Sequence, residues 1–252
     1  MTDTLIKQAA EKLHNAKQIA VLTGAGVSKE SGVPTFRDAL DGLWAKYDPT
    51  ELATPQAFQK NPTLVWNWYT FRRGLVKGAK PNPGHIALAQ IEQRYPKTKI
   101  ITQNVDDLHE QAGSKHVIHL HGNIAGNKCA SDCKGVPTYI DISALDWDED
   151  APPPRCPHCQ AYVRPDVVWF GEMLPRHALE DASRLSQLCD VMLVVGTSGL
   201  VTPAASLPGV ARDTGATIIE VNPDHSAITR IAHIKLDGPS GETLPQVVEA
   251  LP

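Results

Sequence analysis

The sequence predicts an α/β protein built on a doubly wound parallel sheet, with a smaller second domain inserted into it. Short runs rich in Val and Ile recur along the chain, they lack strict alternation, and helical patterns separate them. Strands buried on both faces read this way, and a repeated strand–helix–strand order implies parallel crossovers. Two segments break the rhythm: residues 37–80 are helical and rich in Trp, and residues 124–164 carry four paired cysteines with "APPPR". The main domain is therefore expected from 1–36, 81–123 and 165–252, and the smaller one from 37–80 with 124–164.

The chain opens on "MTDTLIKQAAEKLHNAK", an amphipathic helix with Leu5, Ile6, Ala9, Ala10 and Leu13 on one stripe. It lacks the apolar core of a signal peptide, and Asp3 and Glu11 argue against a transit peptide, so a cytoplasmic protein is expected. No apolar run approaches the ~20 residues of a membrane span. "IAVLT" (19–23) is the first strand and runs into "TGAGVSKESGVPTFRD" (23–38). Gly24 and Gly26 suit a tight turn and a close backbone approach to a pyrophosphate, although Gly32 does not complete G-x-G-x-x-G. A glycine-rich turn holding no ligand is the alternative.

Asn61-Pro62 caps a helix that runs to about Lys77. At about 100° per residue, Leu64, Trp68, Phe71 and Leu75 form its core stripe, with Val65, Tyr69, Arg72 and Val76 on the flank. Arg73 is expected to point away as a solvated charge. Another helix follows over 82–95, with Asn82 as N-cap and Pro83 in the first turn. "KIITQ" (99–103) is the next strand, and "TQNVDDLHEQAG" sets Gln103, Asn104 and Asp106 at its end. "HLHGN" (119–123) places His121 after another short apolar stretch; by residue chemistry alone it is a structural histidine or an acid–base group. "DVVWF" (166–170), "DVMLVVGT" (190–197) and "TIIEVN" (217–222) read as further strands of the sheet. Gly196, Thr197 and Ser198 end the second of these and Asn222 the third, at the strand C-termini where open α/β sheets bind ligands.

An apolar content of 42% with 21% charged residues supports a folded core, and a net charge of −4 supplies no basic field, so nucleic acid is not expected as a partner. Four of the five cysteines form close pairs, Cys129-x3-Cys133 and Cys156-x2-Cys159. In a reducing compartment they supply four thiolates for one structural zinc, a closed site without a position for water. Four reduced, buried cysteines are the alternative. Cys189, beside a strand, reads as a core residue, and His158 as exposed.

Taken together, "GAGVSKESGVPTFR", "TQNVDDLH", "HLHGN", the two cysteine pairs, "VVWFGE", "GTS" and "VN" occur in the order found in sirtuins, the NAD-dependent protein lysine deacylases. The chain resembles that family from about residue 19 to its C-terminus. The resemblance implies a Rossmann-like NAD domain with a zinc-binding and helical second domain. It implies that Ala25, Phe36 and Arg37 surround the nicotinamide end and pyrophosphate of NAD, and that Gln103, Asn104 and Asp106 hold ribose and carboxamide. Gly196, Thr197 and Ser198 then face the adenosine half, Asn222 its ribose, and Ser240 backs the adenine.

His121 is implied as the general base. Val168, Phe170, Gly171 and Glu172, in "VVWFGE", are implied to pair with an acyl-lysine protein or peptide as an added strand. The Tyr69-x-x-Arg72 pair resembles the mark of class III sirtuins, which include desuccinylases and demalonylases, with Ala53 as the small residue that makes room for the acyl group. There the guanidinium binds a substrate carboxylate bidentately and the tyrosine hydroxyl is a second donor. The implied products are nicotinamide and O-acyl-ADP-ribose. Within the family, a deacetylase with little acidic-acyl activity or a mono-ADP-ribosyltransferase are the alternatives. An NAD dehydrogenase would share the glycine turn but not need four cysteines, and a zinc-ribbon nucleic-acid binder lacks the Lys/Arg cluster it would need.

Overall fold

The computed structural model describes residues 2–35, 47–147 and 152–252. By compactness the chain divides into one unit of Met1–Thr35, Ala79–Leu120 and Pro175–Pro252, and a second of Phe36–Gly78 and His121–Leu174. Among the described residues no helix is long and apolar enough to cross a membrane.

The first unit holds β1 (Ile19–Thr23), β2 (Lys99–Thr102), β3 (Val117–His119), β6 (Val191–Val195), β7 (Thr217–Asn222) and β8 (Ile234–Asp237). They form one sheet in the order β3-β2-β1-β6-β7-β8, with every pairing parallel. The chain steps outward from β1 to β3, then returns to lay β6 on the other side of β1. The order reverses between those two strands, and sheets of this class take ligands at the strand C-termini beside such a reversal. β1 and β6 are buried at all five positions, as the unbroken apolar runs require.

Helices α1 (Thr2–Asn15), α6 (Pro83–Arg94) and α10 (Ser240–Glu249) share one core with the sheet. Ile6, Ala9, Ala10 and Leu13 of the amphipathic stripe join Val21, Leu193, Ile219 and Leu236 in it. Asn82 caps α6 as its sequence foretells: its side chain accepts from Gly84 and His85, and His85 Nδ1 takes the Asn82 N–H in return. α8 (Arg176–Leu188) and α9 (Leu207–Asp213) pack on one another, with α9 also on β6 and β7. The sequence reading passes over β8, because "IKLD" presents only two apolar residues, Ile234 and Leu236, as suits an edge strand.

One strand needs correction. The run "DVVWF" is not part of the parallel sheet: β5 (Val163–Val167) pairs antiparallel with β4 (Gly122–Cys129) in a separate two-stranded sheet. An apolar run reports burial and not its pairing partner, and Pro165, which has no N–H to donate, is at odds with a central strand. Residues 121–123 and 165–174, grouped with the main sheet from sequence, thereby fall in the second unit.

The second unit also holds α3 (Pro49–Leu52), α4 (Pro55–Lys60) and α5 (Pro62–Gly78). Asn61 caps α5 by accepting from Leu64 N–H. The helix buries Val65, Trp66, Trp68, Tyr69, Arg72 and Val76, while Leu64, Phe71 and Leu75 are only half-buried. The expected flank is thus the buried stripe, and of the expected core stripe only Trp68 is buried.

Arg73 is a second correction: it is no solvated charge. β4 bulges between Asn123 and Asn127, so the carbonyls of the extra residues have no ladder partner. Arg73 Nε donates to Ile124 O at 2.6 Å, and Nη2 to Gly126 O at 3.0 Å and Asn127 Oδ1 at 2.6 Å. Burial lowers its pKa to about 10, so it remains charged at neutral pH. Arg73→Met leaves those acceptors without a donor; it is expected to destabilise the second unit by about 1–3 kcal/mol, read as a lower urea midpoint.

Candidate functional site

In the first unit the glycine turn after β1 meets the loop after β6 backbone to backbone. Gly24 N–H donates to Val195 O at 3.0 Å and Gly26 N–H to Gly196 O at 2.8 Å. A Cβ on Gly26 would lie 2.7 Å from Gly196 O, and one on Gly196, at φ +60°, would lie 2.5 Å from Val27 N. These glycines are therefore required by the packing of one loop on another, whatever ligand they face. Ala25 sits between them, at the entry to α2 (Gly26–Lys29). Phe36 and Arg37 lie outside the described residues.

The turn is tied to the end of β2 by buried polar groups. Ser28 Oγ donates to Asp106 Oδ2 at 3.0 Å and accepts from Asn104 Nδ2 at 2.9 Å. Asp106 also accepts from Leu108 N–H, at the start of α7 (Leu108–Gln111); burial raises its pKa and these two bonds offset part of that. Gln103 Nε2 donates to Thr197 Oγ1 at 3.0 Å, and Asn222 Nδ2 to Thr197 O at 3.0 Å. The ends of β2, β6 and β7 are thus linked side chain to chain, and Lys235 Nζ donates to Asn222 O. Ser198 accepts Ala227 N–H through its carbonyl. Ser240 is buried, and its Oγ donates to Glu30 Oε2 at 3.0 Å, beside Gly241 N–H on the same oxygen. Amide and hydroxyl groups at the sheet's reversal are the donor–acceptor set that ribose hydroxyls and a carboxamide need.

Sequence reading missed Ser28, His85 and His109, which complete this network. The His85 and His109 rings lie 4.9 Å apart, with His109 Nε2 on Thr23 Oγ1 at 3.0 Å and His85 Nε2 on Ser28 Oγ at 3.4 Å. Burial lowers their pKa to about 4 and about 3, so both are neutral. The spacing Asn82-x-x-His85, that of a capping box, was the available signal for one of them.

In the second unit His121 precedes Gly122, where φ is +78° and a Cβ would stand 2.2 Å from Asp166 O. Only glycine can follow His121 into β4 here, and the His121 carbonyl accepts Val168 N–H at 2.9 Å. Phe170 N–H donates to Ala53 O at 2.9 Å and Trp169 N–H to Glu172 Oε2 at 2.8 Å. The N–H groups of Val168, Trp169 and Phe170 are all engaged within the unit, so these three donors are not available to an added strand. Gly171 turns the chain at φ +86°. Glu172 holds Arg164 with both oxygens, at 2.5 and 2.9 Å; burial alone would raise its pKa, and the Arg164 contacts bring it below the usual range.

Tyr69 and Arg72 lie on the buried stripe of α5, Arg72 at 8% exposure. The Tyr69 hydroxyl accepts from Trp169 Nε1 at 3.0 Å, and burial raises the phenol's pKa well above 10. The Arg72 guanidinium lies 5.2 Å from the centre of the Trp68 ring. Burial lowers its pKa, an effect that its neighbour Tyr69 opposes.

The sulfurs of Cys129, Cys133, Cys156 and Cys159 all lie within 4.8 Å of one another, with Cys129–Cys159 at 3.5 Å and Cys133–Cys156 at 3.7 Å. A zinc tetrahedron with Zn–S of about 2.3 Å has sulfur–sulfur edges of about 3.8 Å, so the four thiols fit that ion. Ser131 N–H points at Cys129 Sγ at 3.4 Å, a bond that favours the thiolate. Trp66, Ile140 and Val163 pack around Cys129 and Cys156, which makes the cluster part of a core. His158 is exposed and Cys189 buried. Elemental analysis is expected to find one zinc per chain, and Cys156→Ser to lose the metal and melt at a lower temperature.

Residues 24–203 match the model of the Sir2 family. A relative from Caldanaerobacter subterraneus subsp. tengcongensis, named NAD-dependent protein deacylase 1, is 52% identical over 225 residues, which cover 89% of this chain and 90% of its own. A crystal structure described as a Sir2 homolog–NAD complex matches with a TM-score of 0.88 at 45% identity, over 97% of this chain and 93% of that one. Another, described as Sir2 bound to acetylated peptide, matches with a TM-score of 0.85 at 31% identity, over 97% of both chains.

Proposed function

The chain belongs to the Sir2 family, and from that premise we propose that it is an NAD-dependent protein lysine deacylase that removes acetyl groups and also succinyl and malonyl groups. The relative named NAD-dependent protein deacylase 1, and the likeness to structures described with NAD and with acetylated peptide, support the general activity. The finer specificity rests on one observation: Tyr69 and Arg72, three residues apart, share one stripe of α5, so a phenol hydroxyl and a guanidinium face the same way.

When bound, NAD supplies the acyl acceptor, so that nicotinamide, free lysine and O-acyl-ADP-ribose leave with one water consumed. Ser28, in the turn after β1, fixes Asn104 and Asp106 at the end of β2, and these two with Gln103 orient the ribose and carboxamide. Thr197 and Asn222, linked to each other, take the adenosine half, with Ser198 and Gly196 beside them; Ser240, which bonds Glu30, backs the adenine. His121 accepts the proton of the ribose hydroxyl that takes up the acyl carbon. Arg72 binds the distal carboxylate of an acidic acyl group, and the Tyr69 hydroxyl donates to it. The contribution of these groups is positioning and charge complementarity, with no covalent nucleophile from the protein. The four zinc ligands leave no open coordination position, so they take no part in the acyl transfer. Four paired cysteines that form no disulfide support a cytoplasmic location.

His121→Ala is expected to bind NAD, by calorimetry, yet lose deacylation on every acyl-lysine peptide; near-normal turnover would remove the base from His121. Arg72→Met is expected to lower the succinyl-to-acetyl ratio of kcat/KM by about ten- to a hundredfold, the ~1.5–3 kcal/mol of a charge-assisted contact. Tyr69→Phe should lower that ratio less, since it removes one neutral donor. Equal losses on both peptides after Arg72→Met make this a plain deacetylase.

A further inference from the structure

Trp169 is held on three sides within the second unit. Its backbone N–H is on Glu172 Oε2 at 2.8 Å, the Arg164 guanidinium carbon lies 3.2 Å from the centre of its ring, and Phe58 packs on it at 5.2 Å. Arg164 is itself fixed, by Glu172 through two bonds and by Val167 O at 2.8 Å. One polar atom of the ring remains, the indole N–H, and it points at the Tyr69 hydroxyl at 3.0 Å.

We propose that Trp169 is a positioning residue for acidic-acyl selection, held by the Arg164–Glu172 pair so that its indole N–H orients the Tyr69 hydroxyl. The proposal rests on the reading of Tyr69 and Arg72 given above. A phenol has one proton to donate and two lone pairs to accept with. Indole has only a donor, so the Trp169 contact occupies a lone pair of Tyr69 and leaves its proton for another acceptor. The hydroxyl is three residues from a guanidinium on the same helix stripe, and without Trp169 it could turn that lone pair toward Arg72 instead. Burial keeps the phenol protonated, and so a donor, across the working pH range. A carboxylate is an acceptor only, whereas the methyl of an acetyl group accepts nothing. The orientation of this one proton therefore bears on acidic acyl groups and not on acetyl.

The test is kcat/KM on matched succinyl-lysine and acetyl-lysine peptides, for wild type, Arg72→Met, Tyr69→Phe, Trp169→Phe and the double variant Tyr69→Phe/Trp169→Phe. Trp169→Phe retains a ring against Arg164 and Phe58 but has no donor. It is expected to lower the succinyl-to-acetyl ratio about three- to tenfold, the range of one neutral hydrogen bond. The double variant should lower the ratio no further than Tyr69→Phe alone, because Trp169 acts through that hydroxyl. If Trp169→Phe folds poorly, benzothienylalanine at 169 keeps the bicyclic ring, replaces N–H with sulfur and should give the same ratio. A ratio equal to wild type in whichever variant folds, or losses in the double variant that multiply, overturns the role of Trp169. If Arg72→Met is selective while Trp169→Phe is not, only this proposal falls. If wild type does not act on succinyl-lysine, or Arg72→Met costs both peptides equally, the substrate reading falls with it.

Discussion

The contact of Gly26 with Gly196, one backbone N–H on one carbonyl at 2.8 Å, is the constraint on which the first unit depends. It lies where the sheet reverses its strand order, between β1 and β6. Any side chain on either residue meets backbone atoms at 2.5–2.7 Å, so the two loops come together only because both lack a Cβ. Their approach carries Thr197 to Gln103 and Asn222, and so joins the ends of β2, β6 and β7. The loop is shaped by the protein before any ligand arrives, and its ordering entropy is spent in folding and not in binding.

Polar groups sealed in such an arrangement must find partners, since an unpaired one costs about 1–3 kcal/mol. Ser28 answers this within the first unit by serving Asp106 and Asn104 at once. In the second unit Arg73 answers it by filling the carbonyls that the β4 bulge strands. The Arg164–Glu172 pair differs in kind. A buried ion pair is weak support for stability, because desolvation offsets most of its attraction. Its use is geometric: Glu172 also takes Trp169 N–H and Arg164 lies against the Trp169 ring, so one pair sets both the turn at 169–172 and the indole.

Much of this was legible. Four strands of the parallel sheet, the Asn82 cap and the cysteine cluster follow from local rules, namely apolar runs, capping spacing and thiolate pairs. What failed was partnership. "DVVWF" reads as a strand, but pairing belongs to tertiary structure, and its first two residues join β4 instead of the main sheet. β8 was missed because an edge strand with two inward residues resembles a loop. Ser28 was passed over because a serine in a glycine-rich turn has no pattern that marks it as the shared partner of residues 76 and 78 positions away. The spacing of Gly24, Gly26 and Gly196 suggests a ligand, whereas loop-to-loop packing is what demands them.

The two adjacent arginines of α5 show why periodicity misled most where chemistry mattered. Residues 72 and 73 stand about 100° apart, and a helix with one buried stripe would hide one and solvate the other. This helix has two buried sides. Val65, Tyr69, Arg72 and Val76 occupy one, and the Trp66 flank carries Arg73 onto β4, its guanidinium 5.3 Å from the Trp66 ring. Arg73 commits its donors to backbone acceptors that do not exchange, so a carboxylate could bind it only by unpairing Ile124 or Gly126. Arg72 sits beside Trp68 and Tyr69, whose ring face and phenol attract a guanidinium. Of two chemically identical side chains, the fold makes one a brace for the bulged strand and lays the other against the aromatic side chains of its own helix.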